Sequence, residues 1–198
     1  AATPLYHSLA ERLVLIPLIT GGTSILMARY SASEWLNAVQ NLRVTFSIAV
    51  SSQLKQIAEL LKSTTIDTSS LRCLVSSSAQ LDEAIKFSLI KKLNCEFHEC
   101  YGASEIAIAS NLDGNVDKHK LKTVGQAAPG VDIKILNDLD EVATTGQPGE
   151  IVCKTTMLFG GYYKRPELTK AAMWGDYFRT GDIGKLDEDG FLYYLGRK

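Results

Sequence analysis

The chain has 198 residues, enough to bury a sizeable core as one domain or as two smaller lobes. Its 21 lysines and arginines nearly balance 22 aspartates and glutamates, so the composition carries no electrostatic footprint for nucleic acid or for an anionic membrane surface. The longest apolar stretch, Leu13 to Ile19, is too short to span a bilayer and contains Pro17, so no transmembrane segment is expected.

The partner should then be a small molecule or another protein. The sequence opens on Ala1, without an initiator methionine or a charged, cleavable leader, and is expected to begin after processing or inside a longer polypeptide. Its four cysteines, Cys73, Cys95, Cys100 and Cys153, form no CxxC pair and sit at no metal-ligand spacing with His7, His98 or His119. Free thiols in a reducing, cytoplasmic setting are the expectation.

Ile25-Leu26-Met27 reads as a short strand. From Glu34 to Leu42, Trp35, Leu36, Val39 and Leu42 fall at helical spacing behind the capping serines Ser31 and Ser33. Val44 to Val50 is a β-branched, strand-like run; Leu54, Ile57, Ala58 and Leu61 share one helix face; Leu71 to Val75 is the next strand. Asp82 is placed to cap a helix that buries Ile85, Leu89, Ile90 and Leu93, and Glu96 to Cys100 leads out of it as a strand. Strand and helix alternating over short connections predict an α/β fold with a parallel sheet flanked by helices. Beyond Asn111, glycine, aspartate and short alternating segments at Val131 to Leu136, Glu150 to Lys154 and Phe191 to Leu195 predict a smaller antiparallel β-rich subdomain. Asp187-Glu188-Asp189-Gly190 suits a hairpin turn, and Pro166 to Met173 a short helix. The expected boundary separates residues 1–110 from 111–198.

Ligands of parallel sheets gather at the carboxyl ends of the strands, where Tyr101-Gly102-Ala103-Ser104-Glu105 falls. Tyr101 offers a flat face for a purine, Gly102 a close backbone approach, Ser104 a donor to phosphate oxygen and Glu105 a hard ligand for Mg2+. The same five residues also suit a strand-to-helix turn in which Ser104 or Glu105 caps the helix. Asp182, after Gly181 in what reads as a tight turn, is placed to accept both hydroxyls of a ribose or to bond its own backbone. Trp35 reads as core, Ile106 to Ile108 equally as pocket lining or core, and Lys164, Arg165 and Lys170 as a solvated surface.

Several blocks, in order, resemble the adenylate-forming superfamily of acyl-CoA synthetases, adenylation domains and luciferases. Pro4-Leu5-Tyr6-His7 is similar to its segment at the acyl-pocket mouth, Tyr101 to Glu105 to its YGxTE motif, and Gly125 to Gly130 to its glycine-proline loop. Gly149-Glu150-Ile151, Gly161-Tyr162 and Pro166-Glu167-Leu168-Thr169 follow in register; Phe178 to Asp182 matches its (Y/F)RTGD motif and Gly196-Arg197-Lys198 the start of its hinge.

The resemblance implies roles by matched position. Tyr101, Gly102, Ala103 and Ser104 would bind ATP, with Tyr101 against adenine and Ser104 near the α-phosphate. Asp182 would hold the ribose diol, Arg197 would reach ribose or phosphate, and Ser104 and Glu105 would be catalytic, Glu105 through Mg2+. Ser77, Ser78 and Ala79 stand in the adenine loop, and His7, Ser76 and Ile106 in the acyl pocket. Ser76 to Leu81 departs from the family's usual glycine, alanine and proline there, serines and Gln80 replacing them. Ser104 replaces the commoner threonine and keeps the hydroxyl.

The implied activity is an ATP-dependent ligase that joins a carboxylic acid, fatty or otherwise organic, to coenzyme A through an acyl-adenylate. The family's phosphate loop, expected before Pro4, and its carboxy-terminal catalytic domain, expected after Lys198, are not in the sequence, which therefore reads as a central fragment unable to complete adenylation alone. Two alternatives stand beside this. An amino-acid adenylation domain commonly carries an aspartate in an FDxS-like segment, where this chain has Tyr6-His7-Ser8. A non-catalytic nucleotide-binding module would have lost the pocket at Ser76 to Gln80.

Overall fold

The computed structural model describes the backbone of residues 1–198 and all side chains except those of Ser8 and Leu9. The chain forms two compact units, Ala1–Glu99 with Asp113–Leu121, and Cys100–Leu112 with Lys122–Lys198.

The first unit opens with helix α1 (Ser8–Thr20), which ends where Gly21, at φ 74°, donates its N–H to Pro17. Ile25 to Met27, read from sequence as a strand, is irregular. Its backbone meets Ala1, whose amino group donates to the Ile25 carbonyl at 2.6 Å while Met27 N–H donates back at 3.1 Å. One residue is no ladder, and no strand forms over Ile25 to Met27.

Helix α2 (Ala32–Leu42) starts as its sequence asks: the Ser31 hydroxyl accepts from Glu34 N–H at 3.2 Å. Strand β1 (Phe46–Val50), helix α3 (Ser51–Leu60), strand β2 (Cys73–Ser77), helix α4 (Glu83–Leu93) and strand β3 (Glu96–Ala103) follow in alternation. β1 and β2 pair in parallel from Phe46 opposite Cys73, and β2 and β3 from Cys73 opposite Glu96. Leu36, Leu54, Ile57, Leu74, Leu89 and Phe97 form the core between helices and sheet. Asp82 stands at the amino end of α4, but its carboxylate pairs with Lys55 at 2.8 Å and makes no capping bond. A cavity of about 680 Å3 opens at the amino ends of β1 and β2, lined by Leu13, Pro17, Val39 and Phe46 among others. It lies at the end of those strands opposite the loop from Ser78 to Leu81.

Strand β3 carries the chain into the second unit and turns back as β4 (Ala107–Asp113), which pairs antiparallel with β5 (Gln126–Ala127). A second sheet is built from β6 (Val131–Leu136), β7 (Gly149–Thr155), β8 (Met173–Trp174), β9 (Tyr177–Leu186) and β10 (Leu192–Arg197), in the antiparallel order β10-β9-β7-β6 with β8 on β9. Helix α5 (Pro166–Ala171) begins with its proline, where the missing N–H costs nothing. The Asp187 carboxylate accepts from the N–H groups of Asp189 and Phe191 and closes the β9–β10 hairpin. Ile106, Ile133, Ile151, Cys153, Phe178 and Leu192 are among the residues of this unit's core. The expected α/β class with an antiparallel second part is the observed one.

Candidate functional site

In the second unit, Tyr101 to Ala103 complete β3, and Ser104, Glu105 and Ile106 form the turn into β4; a strand follows this turn, not a helix. Gly102 has a structural necessity of its own. A Cβ there would lie 1.8 Å from the Ala107 carbonyl oxygen, so the close approach it permits is between the two arms of this hairpin. Ser104 is exposed at the tip. Glu105 is half-buried: its Oε1 accepts from the Tyr162 hydroxyl at 2.8 Å and its carbonyl from Phe159 N–H at 2.8 Å.

Asp182 does not sit in a hairpin turn. It lies inside the ten-residue strand β9, where Val152 pairs with Arg179 but Glu150 with Ile183. The unequal spans make a bulge at Thr180 to Asp182, with Gly181 at φ 70°. Thr180 fastens it, its hydroxyl donating to the Ile151 carbonyl at 2.8 Å and accepting from Asp182 N–H at 3.1 Å. Glycine supplies the left-handed residue that the bulge needs.

The bulge aims a carboxylate with 6% of its residue surface exposed at two partners. The Tyr101 hydroxyl donates to Asp182 Oδ2 at 2.8 Å, and Arg197 Nη1 donates to Oδ1 at 3.0 Å and to the Thr180 carbonyl at 3.1 Å. Burial above all pushes the Tyr101 phenol well above its ordinary value, so it remains a donor. Each oxygen of Asp182 keeps a second lone pair, so the carboxylate has capacity for two further hydroxyl donors. Beside this row, Arg179 donates to Glu150 Oε2 at 2.9 Å, and Lys198 Nζ reaches the same oxygen at 2.9 Å.

In the first unit, Ser76 and Ser77 are the last residues of β2, so the loop expected at Ser76 to Leu81 begins only at Ser78. Ser76 is fully buried with its hydroxyl 3.5 Å from Glu99 Oε1, so it presents no surface to an acyl group. Ser78 holds φ 80°, the left-handed region in which a side chain is strained, and Ser51 donates to the Ala79 carbonyl. Ile106, placed in sequence at the acyl pocket, is likewise fully buried and packs in the second unit's core. His7 is exposed at the amino end of α1, its ring 4.4 Å from that of Tyr6, and its side chain makes no capping bond.

Sequence reading missed Lys86 and Glu99. Lys86 is wholly buried on α4, its ammonium against Glu99 Oε2 and 2.7 Å from the Leu121 carbonyl. Glu99 Oε1 accepts from Leu81 N–H at 2.8 Å, so the pair holds the far end of the serine loop. Burial pulls Lys86 below its ordinary value and pushes Glu99 above its own, with the mutual attraction opposing both. The signal was present: Lys86, Leu89 and Leu93 lie at i, i+3 and i+7 on one face, and Glu99 falls between Phe97 and Tyr101 in the buried phase of β3.

The defining pattern of AMP-binding enzymes matches residues 1–163. A feruloyl-CoA synthase from Amycolatopsis sp is 29% identical over 198 residues, and a medium/long-chain-fatty-acid–CoA ligase from Mycobacterium tuberculosis 27% over 197. These alignments take in 99% and 98% of the chain but 40% and 34% of the relatives, so the chain spans well under half of their length. The structure of O-succinylbenzoate coenzyme A synthetase from Bacillus subtilis in complex with ATP and magnesium superposes with a TM-score of 0.87 at 28% identity, covering all of this chain and 41% of that one.

Proposed function

The chain belongs to the AMP-binding enzyme family, and on that premise we propose that it forms the nucleotide-facing part of an acid–thiol ligase that converts ATP to AMP and pyrophosphate. The observation that carries this is the row Tyr101–Asp182–Arg197, a nearly buried carboxylate with both oxygens in use and lone pairs to spare. Asp182 would accept the ribose hydroxyls, Tyr101 would bound the adenine side, and the exposed guanidinium of Arg197 would turn from Asp182 toward ribose or phosphate. Ser77, Ser78 and Ala79 would offer backbone groups to adenine. Ser104 would donate to the α-phosphate region.

A carboxylate is a poor acyl donor until its oxygen carries a leaving group. In the proposed reaction the acid's oxygen attacks the α-phosphorus in line and pyrophosphate departs; a thiol, that of coenzyme A, then displaces AMP from the acyl-adenylate. No enzyme nucleophile is required, and the protein's contribution is positioning and charge. Glu105 suits Mg2+, an ion content with one carboxylate, water and phosphate oxygens; it is half-buried on a turn and fixed by Tyr162. Mg2+ held there would offset phosphate charge. The relatives act on aromatic and aliphatic acids alike, as their names state, so the proposal leaves the acid broad: a small carboxylic acid with His7 at the mouth of its site. Four cysteines without a disulfide support a reducing compartment such as the cytoplasm, and no helix among the described residues is long and apolar enough to cross a membrane.

Calorimetric titration of the 198-residue chain with AMP and with ATP and Mg2+ tests the reading. Uptake of nucleotide is expected, and Asp182→Ala should weaken it by about 1–3 kcal/mol through loss of a charge-assisted contact. An unchanged affinity removes the ribose role. Pyrophosphate exchange by the full-length protein that responds only to amino acids would replace the coenzyme A ligase with a carrier-loading adenylation domain.

A further inference from the structure

The parallel register of β2 and β3 brings one side chain of β2 beside two of β3 that lie more than twenty residues further along the chain. Cys73 stands directly opposite Glu96, and Val75 opposite His98. Residues 96 and 98 share one face of β3, and Cys73 joins them on that face, because their neighbours Leu74 and Phe97 point into the core. The Cys73 sulfur, a Glu96 carboxylate oxygen and a His98 ring nitrogen all lie within 4.8 Å of one another. Ligand atoms around a tetrahedral ion with bonds of about 2.0–2.3 Å are separated by roughly 3.3–3.8 Å, so small side-chain rotations close the site.

From this geometry we infer that Cys73, Glu96 and His98 form a binding site for a borderline divalent cation of the Zn2+ class. One thiolate, one imidazole and one carboxylate is a mixed sulfur, nitrogen and oxygen set. It favours Zn2+ and its neighbours over Mg2+ or Ca2+, which take oxygen. The three backbone positions are fixed by ladder hydrogen bonds, which is the rigidity a preorganised site needs. Glu96 is exposed and the other two half-buried, so water has access for the fourth position. Burial, Glu96 and Asp113 all hold the Cys73 thiol above its ordinary value; that same negative surrounding attracts a cation, whose charge would in turn draw the proton off sulfur. The site involves none of the residues assigned to the nucleotide and stands or falls independently of that reading.

Titration of the reduced 198-residue chain with Co2+ tests it. A saturable band of thiolate-to-cobalt charge transfer in the near ultraviolet is expected at one ion per chain, displaced by Zn2+. Cys73→Ser should abolish the band, and Glu96→Gln or His98→Gln should weaken the affinity about tenfold or more. Cys100→Ser should leave it intact. Absence of a saturable band up to about 1 mM Co2+, or a band that survives Cys73→Ser, overturns the site. Glu96 is exposed, so Glu96→Gln decides the matter even if Cys73→Ser fails to fold: affinity unchanged in that variant equally overturns the assignment.

Discussion

Replacing Glu99 by glutamine removes one charge from a pair whose side chains are 0% and 2% accessible, and takes from the Lys86 ammonium its buried counter-charge while its bond to the Leu121 carbonyl remains. Glutamine keeps the shape and an oxygen for Leu81 N–H, so the loss isolates the electrostatic part. Breaking a buried pair by removing one partner costs about 3–5 kcal/mol. Against a total stability of roughly 5–15 kcal/mol that is a large fraction. Lys86→Met, which keeps most of the side-chain volume, should cost a similar amount by stranding the Glu99 carboxylate. In the double variant no charge is left buried, and the chief loss is the donor to Leu121, about 1–3 kcal/mol. The cycle should therefore show a coupling of about 3 kcal/mol or more. Urea unfolding supplies the measurement, with Trp35 reporting on the first unit and Trp174 on the second. The Glu99→Gln penalty should also shrink as pH rises toward the ordinary lysine value near 10.5, because the unfolded chain then binds more protons at Lys86 than the native one. Single variants costing under about 1 kcal/mol, or costs that simply add in the double, would refute the reasoning.

Ser78→Gly should stabilise the chain by about 0.5–1 kcal/mol, since relief at φ 80° outweighs the added freedom of the unfolded chain; a lowered melting temperature would count against it. Gly102→Ala should destabilise by about 3 kcal/mol, because the new Cβ meets backbone, and an unchanged urea midpoint would show that the hairpin yields. Burial raises the thiols of Cys95 and Cys153 to about 11 and about 12 from an ordinary 9.0. As pH rises above 9 the unfolded thiols ionise first, so each should lower stability by about 1.4 kcal/mol per pH unit up to its native value. Comparing alkaline urea midpoints of the wild type and Cys153→Ala checks this, the variant being expected to show the shallower decline.

The alternating half of the fold was legible because its signals are local. Ser31 before Trp35, Leu36 and Val39 states both a cap and a buried face, and the structure uses both. Ile25 to Met27 has strand composition without a strand's partner, and pairing is not written in a strand's own residues. The Ser104 turn leads into a strand because Ile106 and Ala109 belong to the core of a hairpin, a long-range fact. Gly181-Asp182 looks identical in a hairpin turn and in a bulge; only the register of β7 against β9 tells them apart. Cysteine spacing suggested no metal ligands, since Cys73 and His98 are neighbours across strands and not along the chain. Thr180 stands inside a motif, but its work of bracing the bulge against Ile151 shows only in the pairing of β9 with β7, and the Lys86–Glu99 pair belongs to no motif.

Glu99 is the last residue of the first unit before the chain leaves it, and Leu121 is the last after it returns. One ammonium, on Lys86, binds both. The two exits are thus mechanically joined at a point inside the core: a pull along either one strips a contact from the same nitrogen. Amide exchange along the two exits should consequently rise and fall together, although 21 residues of chain lie between them.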